Sequence, residues 1–558
     1  MFPSRRVLFA CLCVLCAACS RSGRPGADLI VTNATIWTGN PQQLSASAFA
    51  AIGERIADVG GSADIDRWRA RDTRVVDAGG RRVIPGFNDA HVHFVDGGAQ
   101  LERVDLKDAD SPAELAKRIG DRVRSHPGEW VLGGDWDDQR WSPPALPTRA
   151  LIDGVTNDTP VFVSRYDGHM ALANSAALRR AGVTERTPDP PGGQIVRDAK
   201  GVPTGILKDA AMNDVQRVVP PMTAAQRLRA IKNALQHAAS LGVTSVQDMN
   251  PSYDDVAAYA ELSSRGELST RIYAAPMETG WADQARIGVR RAFGSPWVRL
   301  GAVKGYADGS LGSTTAYFFQ PYTDAPNTRG LLSDEMQPLA DMRARLTAAD
   351  RAGLQLCIHA IGDAGISAIL DLFTEVAATN GDRDRRFRIE HAQHIAPKDF
   401  DRFAALKVIA SMQPYHAIDD GRWAERRIGP ERIKTTYAFK TLLDRNVQLA
   451  FGTDWPVAPL NPLLGLYAAT TRATLDGKNP DGWVPEQKIG IEQAVRAYTT
   501  GSAFAEFQDA EKGVLARGKL ADAIVVSDDI FTVPPARLRD VKVLTTIVGG
   551  RVAYQRQP

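Results

Sequence analysis

Apolar and polar positions alternate in short runs at both ends of this chain and in longer strand–helix cycles between them. From Ala27 to Val83 the runs are Asp28-Leu29-Ile30-Val31, Ala34-Thr35-Ile36-Trp37, Phe49-Ala50-Ala51-Ile52 and Arg74-Val75-Val76-Asp77. Each is short and bounded by turn residues, which predicts a small β-sandwich. The C-terminus repeats the pattern in Ala523-Ile524-Val525-Val526 and again between Val541 and Val552. Two β segments flanking a long middle can pair into one composite domain, here residues 27–83 and 508–558.

The middle cycles between strand and helix signals. Predicted strands are Arg82–Phe87, Val243–Gln247, Arg271–Ala275, Val298–Lys304, Leu354–His359, Phe387–His391, Val408–Met412 and Val447–Phe451. Helical stretches such as Ala224–Ser240 and Leu339–Ala352 lie between them. Eight β units with α connections predict an α/β fold, a (β/α)8 TIM-like barrel over residues 84–507. Roughly 150 residues separate the first two strands, far more than a crossover needs. That excess, residues 100–222, reads as an insertion after barrel strand 1 that shapes the substrate site.

The N-terminus follows a different pattern. Arg5-Arg6 precedes an apolar run from Val7 to Ala18, too short to span a bilayer, so residues 1–20 read as an export signal peptide. Arg5-Arg6 also resembles a twin-arginine signal, and Cys16-Ala17-Ala18-Cys19 a lipoprotein cleavage site with Cys19 lipidated. Plain cleavage after Ser20 is the competing reading. The expected location is the bacterial periplasm or cell envelope, with a membrane tether wherever Cys19 is lipidated. Four of the five cysteines fall in this segment, leaving Cys357 without an internal disulfide partner.

Charge narrows the partners. Lys+Arg 67 against Asp+Glu 65 in 558 residues leaves no basic excess, which argues against a nucleic-acid binder. A small-molecule substrate is expected, acted on by the chain alone or as a homodimer.

Candidate chemistry starts at Pro85-Gly86-Phe87-Asn88-Asp89-Ala90-His91-Val92-His93. On an extended segment His91 and His93 share a face and can chelate a divalent metal. Lys304, His359, His391 and Asp454 each close or follow a predicted strand, where barrel active sites are built. Taken singly, each has a plain structural reading: a core histidine, a helix cap, an ion pair of Lys304 with Asp308 or Glu390. Jointly, ligand-type residues at the ends of five strands point to a metal site.

These residues resemble the amidohydrolase superfamily, and their surroundings resemble its family 3 branch, which includes N-substituted formamide deformylase-like proteins. The matching phrases include Asp308-Gly309-Ser310-Leu311-Gly312-Ser313, His359-Ala360-Ile361-Gly362-Asp363, Ile389-Glu390-His391-Ala392-Gln393 and Gly452-Thr453-Asp454-Trp455-Pro456. The resemblance implies a barrel carrying a sandwich made from both termini. It also implies a divalent metal, zinc by its nitrogen-rich donors, with His91 and His93 on one ion and His359 and His391 on a second. Lys304 would then be a carboxylated bridge; with an unmodified lysine the site holds one ion. The metal brings the pKa of water from ~15.7 towards ~7. Asp454, the implied base and a metal ligand, takes the water proton and returns it to the leaving amine.

The expected reaction is hydrolysis of an amide-type C–N bond. Deamination, ester hydrolysis, isomerisation and a binding protein without turnover are the alternatives. Trp136, Asp167 and His169 are candidate substrate contacts from the insertion, and His416 is a candidate donor to the scissile carbonyl. Thr314 departs from the family, where arginine is common, which removes an anion-binding group.

Overall fold

The computed structural model describes residues 26–557; the expected signal segment, Cys19 included, lies outside them. Both chain ends build β structure. A four-stranded sheet comes from the N-terminal segment alone: Leu29–Thr32, Ala48–Ile52, Arg55–Gly60 and Arg74–Asp77. A six-stranded sheet mixes the two termini, because Arg82–Pro85 pairs antiparallel with Ala523–Val526 in the register Ile84 to Ile524. Leu29, Val31, Phe49 and Ile56 of the first sheet pack with Ile36, Val83, Val525 and Ile547 of the second in one apolar cluster. Burial of these side chains ties terminus to terminus without a covalent link.

Eight strands of the middle run parallel with their neighbours in two groups. The first holds β1 (Phe87–Val92), β2 (Val243–Met249) and β3 (Arg271–Ala275). The second holds β4 (Ala302–Tyr306), β5 (Gln355–Ala360), β6 (Arg388–His391), β7 (Ile409–Met412) and β8 (Leu449–Phe451). Nearly every residue in them is buried, as expected of parallel strands covered on both faces. No continuous ladder closes the ring among the described residues. Instead the two groups meet at single parallel bridges, Val92 to Trp455 and Met277 to Lys304.

Two strand boundaries differ from the sequence expectation. Arg82–Phe87 divides at Gly86, so that Arg82–Pro85 joins the end sheet and β1 begins at Phe87. Val298–Lys304 divides at Gly301, whose φ of +116° is open only to glycine. Val298–Leu300 pairs with β3, while β4 starts afresh at Ala302. Helix Ala224–Ser240 forms as predicted, started by a reciprocal Thr223–Gln226 capping box and buried along Ala230, Ile231, Ala234 and Ala238.

Between β1 and β2 stands a separate six-stranded sheet, spanning Val104–Asp105 to Pro203–Asp209. Three of its strands are parallel, and Arg103, Asp135 and Arg165, at or beside them, line the cavity shared with His391 and Asp454 of the middle. Its core holds Leu115 and Ile119 of helix Pro112–Ser125 against Val131, Val163, Leu172 and Ile206. Lys208 pins it to the loop after β4 by donating to the Ser313 carbonyl at 2.8 Å.

Candidate metal centre

β1 carries His91 into the interior, and His93 lies one residue past its end, where the chain turns into helix Phe94–Gln100. Each imidazole has its Nδ1 occupied. His91 Nδ1 lies 2.7 Å from Glu390 Oε2, and His93 Nδ1 lies 3.0 Å from the Met249 carbonyl. A carboxylate or a carbonyl only accepts, so both Nδ1 atoms carry the proton and both Nε2 atoms keep a lone pair when the ring is neutral. Those Nε2 atoms face Asp454 Oδ1, at 3.5 Å from His91 and 3.3 Å from His93.

Asp454 follows β8 with a left-handed φ of +62°. Its amide donates to the His91 carbonyl at 2.7 Å, and Asp89 holds the preceding Thr453 through both amide and hydroxyl. Oδ1 is buried and accepts no hydrogen bond. Burial alone would raise its pKa; the surrounding imidazoles of His91 and His93 outweigh this and hold the carboxyl below the ordinary range. The group is therefore a carboxylate.

His391 ends β6 with φ +72°, and its Nδ1 lies 2.8 Å from Gln413 Oε1. His416, in helix Pro414–Asp420, aims Nε2 at Asp454 Oδ2 from 3.9 Å and has no hydrogen-bond partner there. Two donor sets result, His91/His93/Asp454 and His391/His416/Asp454, each with its atoms within 4.8 Å of one another. Burial keeps His91, His391 and His416 neutral by pulling their pKa down. Converging imidazoles, an orphaned carboxylate oxygen, and the Nδ1 atoms of His91 and His93 held by Glu390 and Met249 so that their Nε2 atoms face Asp454, fit a divalent cation.

Lys304 belongs to the same cluster. Its Nζ lies 3.4 Å from His91 Nε2 and 4.7 Å from the centre of the Tyr306 ring, and burial pushes its pKa down. His359 stands apart from the converging donors. Its ring is 4.5 Å from that of His391, but its Nε2 faces the Gly309 carbonyl at 3.2 Å and Asp308 Oδ1 at 3.6 Å.

The insertion roofs the cluster, leaving a cavity of about 1690 Å³ whose walls include His93, Lys304, His391, His416 and Asp454. Asp167 and His169 line it. Asp167 also accepts from Arg165 at 2.7 Å and from the Ser310 and Ser313 hydroxyls at 2.5 and 2.8 Å, so it fastens the insertion to the loop after β4. His169 Nδ1 is held by Asp209 at 2.7 Å and its ring sits 4.9 Å from that of His359. Trp136 is a correction: the indole is fully buried in the insertion core, donates to the Val163 carbonyl at 3.0 Å and takes no part in the cavity wall.

Sequence reading passed over Glu390, Gln413 and Asp209 as orienting partners. Glu390 had a signal, a charged residue inside an apolar strand beside Arg388. Gln413 and Asp209 had none, since their partners lie far along the chain.

Residues 74–554 match the model of the amidohydrolase family. The chain is 40% identical over 548 residues to Protein LONG AFTER FAR-RED 3 of Arabidopsis thaliana, across 95% of this chain and 92% of that one. It is 27% identical over 552 residues to the N-substituted formamide deformylase of Arthrobacter pascens, across 95% and 98% of the two chains. A solved structure, an uncharacterized metal-dependent hydrolase from Pyrococcus horikoshii, superposes with a TM-score of 0.74 at 30% identity, covering 91% of this chain and 99% of that one.

Proposed function

The chain belongs to the amidohydrolase family, and on that footing we propose that it hydrolyses an amide-type carbon–nitrogen bond in an N-substituted formamide or N-acyl amine. The observation that carries the proposal is Asp454 Oδ1, an orphaned buried carboxylate oxygen at the focus of imidazole nitrogens. His91, His93 and Asp454 would hold one divalent ion, and His391 and His416 would share Asp454 toward a second. Zinc suits the donor set. Burial favours the neutral amine of Lys304, the form that adds to CO2 with loss of a proton to give a carbamate. Two ions go with that carbamate, one with a free amine.

A bound divalent cation supplies Lewis acidity and makes water acidic enough to lose a proton near neutral pH. The side chains do the rest. Asp454 receives the proton of the attacking water and returns it to the nitrogen of the leaving amine. Where a single ion is held by His91, His93 and Asp454, His416 Nε2, unpartnered on the cavity wall, is free to carry a proton and donate to the oxygen of the scissile carbonyl as charge develops there. The roof formed by the insertion limits access of bulk water.

This reading takes the eight middle strands as one (β/α)8 barrel, supported by the bridges at both seams, and the end sheets as a sandwich on a shared core. It includes export of the chain, with fatty-acid labelling of the wild type against Cys19→Ser deciding whether Cys19 is lipidated or the signal is simply cleaved after Ser20. The deciding experiment is metal analysis of the purified protein with assay on formamides, N-acyl amines and matched esters. Bound metal with amide cleavage is the expected result; absence of both, or cleavage of esters alone, overturns the proposal.

A further inference from the structure

One carboxylate on the cavity wall has no role in the chemistry above. Strand Val131–Trp136 pairs in parallel with Val161–Arg165, Gly134 opposite Ser164 and Trp136 opposite Arg165. Asp135 is the extra residue of a bulge, at φ +62° after Gly133 and Gly134 at +98° and +117°. In an unbroken strand Val131 and Trp136 would lie on opposite faces, yet both belong to one apolar cluster. The bulge reverses the alternation. It turns the indole into the core and leaves the Asp135 side chain on the cavity wall.

The Asp135 carboxylate accepts no hydrogen bond among the described residues; burial, opposed by the charges of Lys107 and Arg103, pushes its pKa up to about 7. Lys107 is already committed, donating to the Val457 carbonyl at 2.6 Å. Two guanidinium groups near the site are also occupied. Arg165 binds Asp138 at 2.9 Å and Asp167 at 2.7 Å, and Arg427 binds Thr314 Oγ1 and the Gly312 carbonyl, each at 2.9 Å. Arg103 also lines the cavity, as do the carboxylates of Asp96, Asp419 and Asp420. A half-buried carboxylate on a cavity wall without a protein partner offers both oxygens to a ligand, and a charge-assisted hydrogen bond from a cationic group is the strong way to satisfy it.

We propose that Asp135 is a specificity-determining residue that receives an ammonium or amidinium group carried on the substrate away from the scissile bond. The inference rests on the hydrolase reading for the identity of that substrate, though not for the binding event. Three formamides of similar length test it on the metal-loaded enzyme: N-formylhexylamine, mono-N-formylcadaverine and a carboxylate-ended analogue. The ammonium compound is expected to have kcat/KM about ten-fold above the neutral one. Asp135→Asn, whose side chain tolerates the left-handed backbone, is expected to bring that ratio close to one. An unchanged ratio in the variant, or a wild-type preference for the carboxylate, overturns the proposal. If none of the three is cleaved, the hydrolase reading fails and binding decides the matter for Asp135. Benzamidine is then expected to bind Asp135→Asn about ten-fold more weakly than wild type, with the neutral acetophenone as control. Equal benzamidine affinity in the two proteins overturns it.

Discussion

Glu390 Oε2 accepts the Nδ1 proton of His91 at 2.7 Å, with both side chains fully buried. On its other side the same carboxylate is paired with Arg388, Nε to Oε1 at 2.8 Å. Glu390 therefore orients a ligand and neutralises a buried cation at once. Glu390→Gln keeps an acceptor for His91 but leaves Arg388 uncompensated. The expected loss is about 3–5 kcal/mol of stability, read by denaturant unfolding. Metal affinity should fall about 10–100-fold, read by competition with a chromophoric chelator.

Removal of metal should act on fold and activity together. Chelation is expected to abolish hydrolysis and to lower the melting temperature, the lost stabilisation being about 3–4 kcal/mol for an ion that had been present at 100 to 1,000 times its Kd. Restoring the ion should restore both. Asp454→Asn, by contrast, should lower kcat by about two to four orders of magnitude even when metal is resupplied. Full activity in the loaded variant would remove Asp454 from the role of base.

Lys208 makes a prediction in pH. Burial is the largest influence on its ammonium and brings the pKa from 10.5 down to about 8. Between these values the unfolded chain holds a proton that the folded chain has released, so stability rises with pH across the window. Below about pH 8 both states are protonated and the cost of the buried charge, about 3 kcal/mol, is felt in full. Lys208→Met should flatten this rise in urea-unfolding curves taken across the window. An equal slope in the variant would assign the rise to another group.

Trp136→Phe should cost about 1–3 kcal/mol through the lost Val163 hydrogen bond and the smaller ring. KM should stay within two-fold of wild type, since the indole takes no part in the cavity wall. A large rise in KM at unchanged stability would return Trp136 to the substrate site.

What the sequence made legible follows from the strength of each local signal. Helix Ala224–Ser240 and strand Arg271–Ala275 were readable to the residue because apolar spacing and end signals agree there. The breaks at Gly86 and Gly301 were not, since strands buried on both faces read as unbroken apolar runs. Trp136 shows a further limit: one bulge residue reverses which side chains face the core, and nothing in Gly133-Gly134-Asp135-Trp136 announces it. The histidines were legible by type and position along their strands. Their rotation was not, and it is rotation that brings His416 to Asp454 while turning His359 Nε2 toward Gly309.

The two single bridges at Val92–Trp455 and Met277–Lys304 have a mechanical meaning. His91 and His93 arrive on the first group of strands, and Lys304, His391, His416 and Asp454 on or after the second. The donor set His91/His93/Asp454 thus straddles a joint that the backbone stitches only locally, through the Asp454 amide to the His91 carbonyl and the His93 amide to the Trp455 carbonyl. A cation there would act as a rivet between two halves of the molecule, so that prying them apart and stripping the ion become the same event. A chain cut in the loop between β3 and β4 should reassemble more tightly when the ion is present, which would make fragment complementation a direct gauge of occupancy.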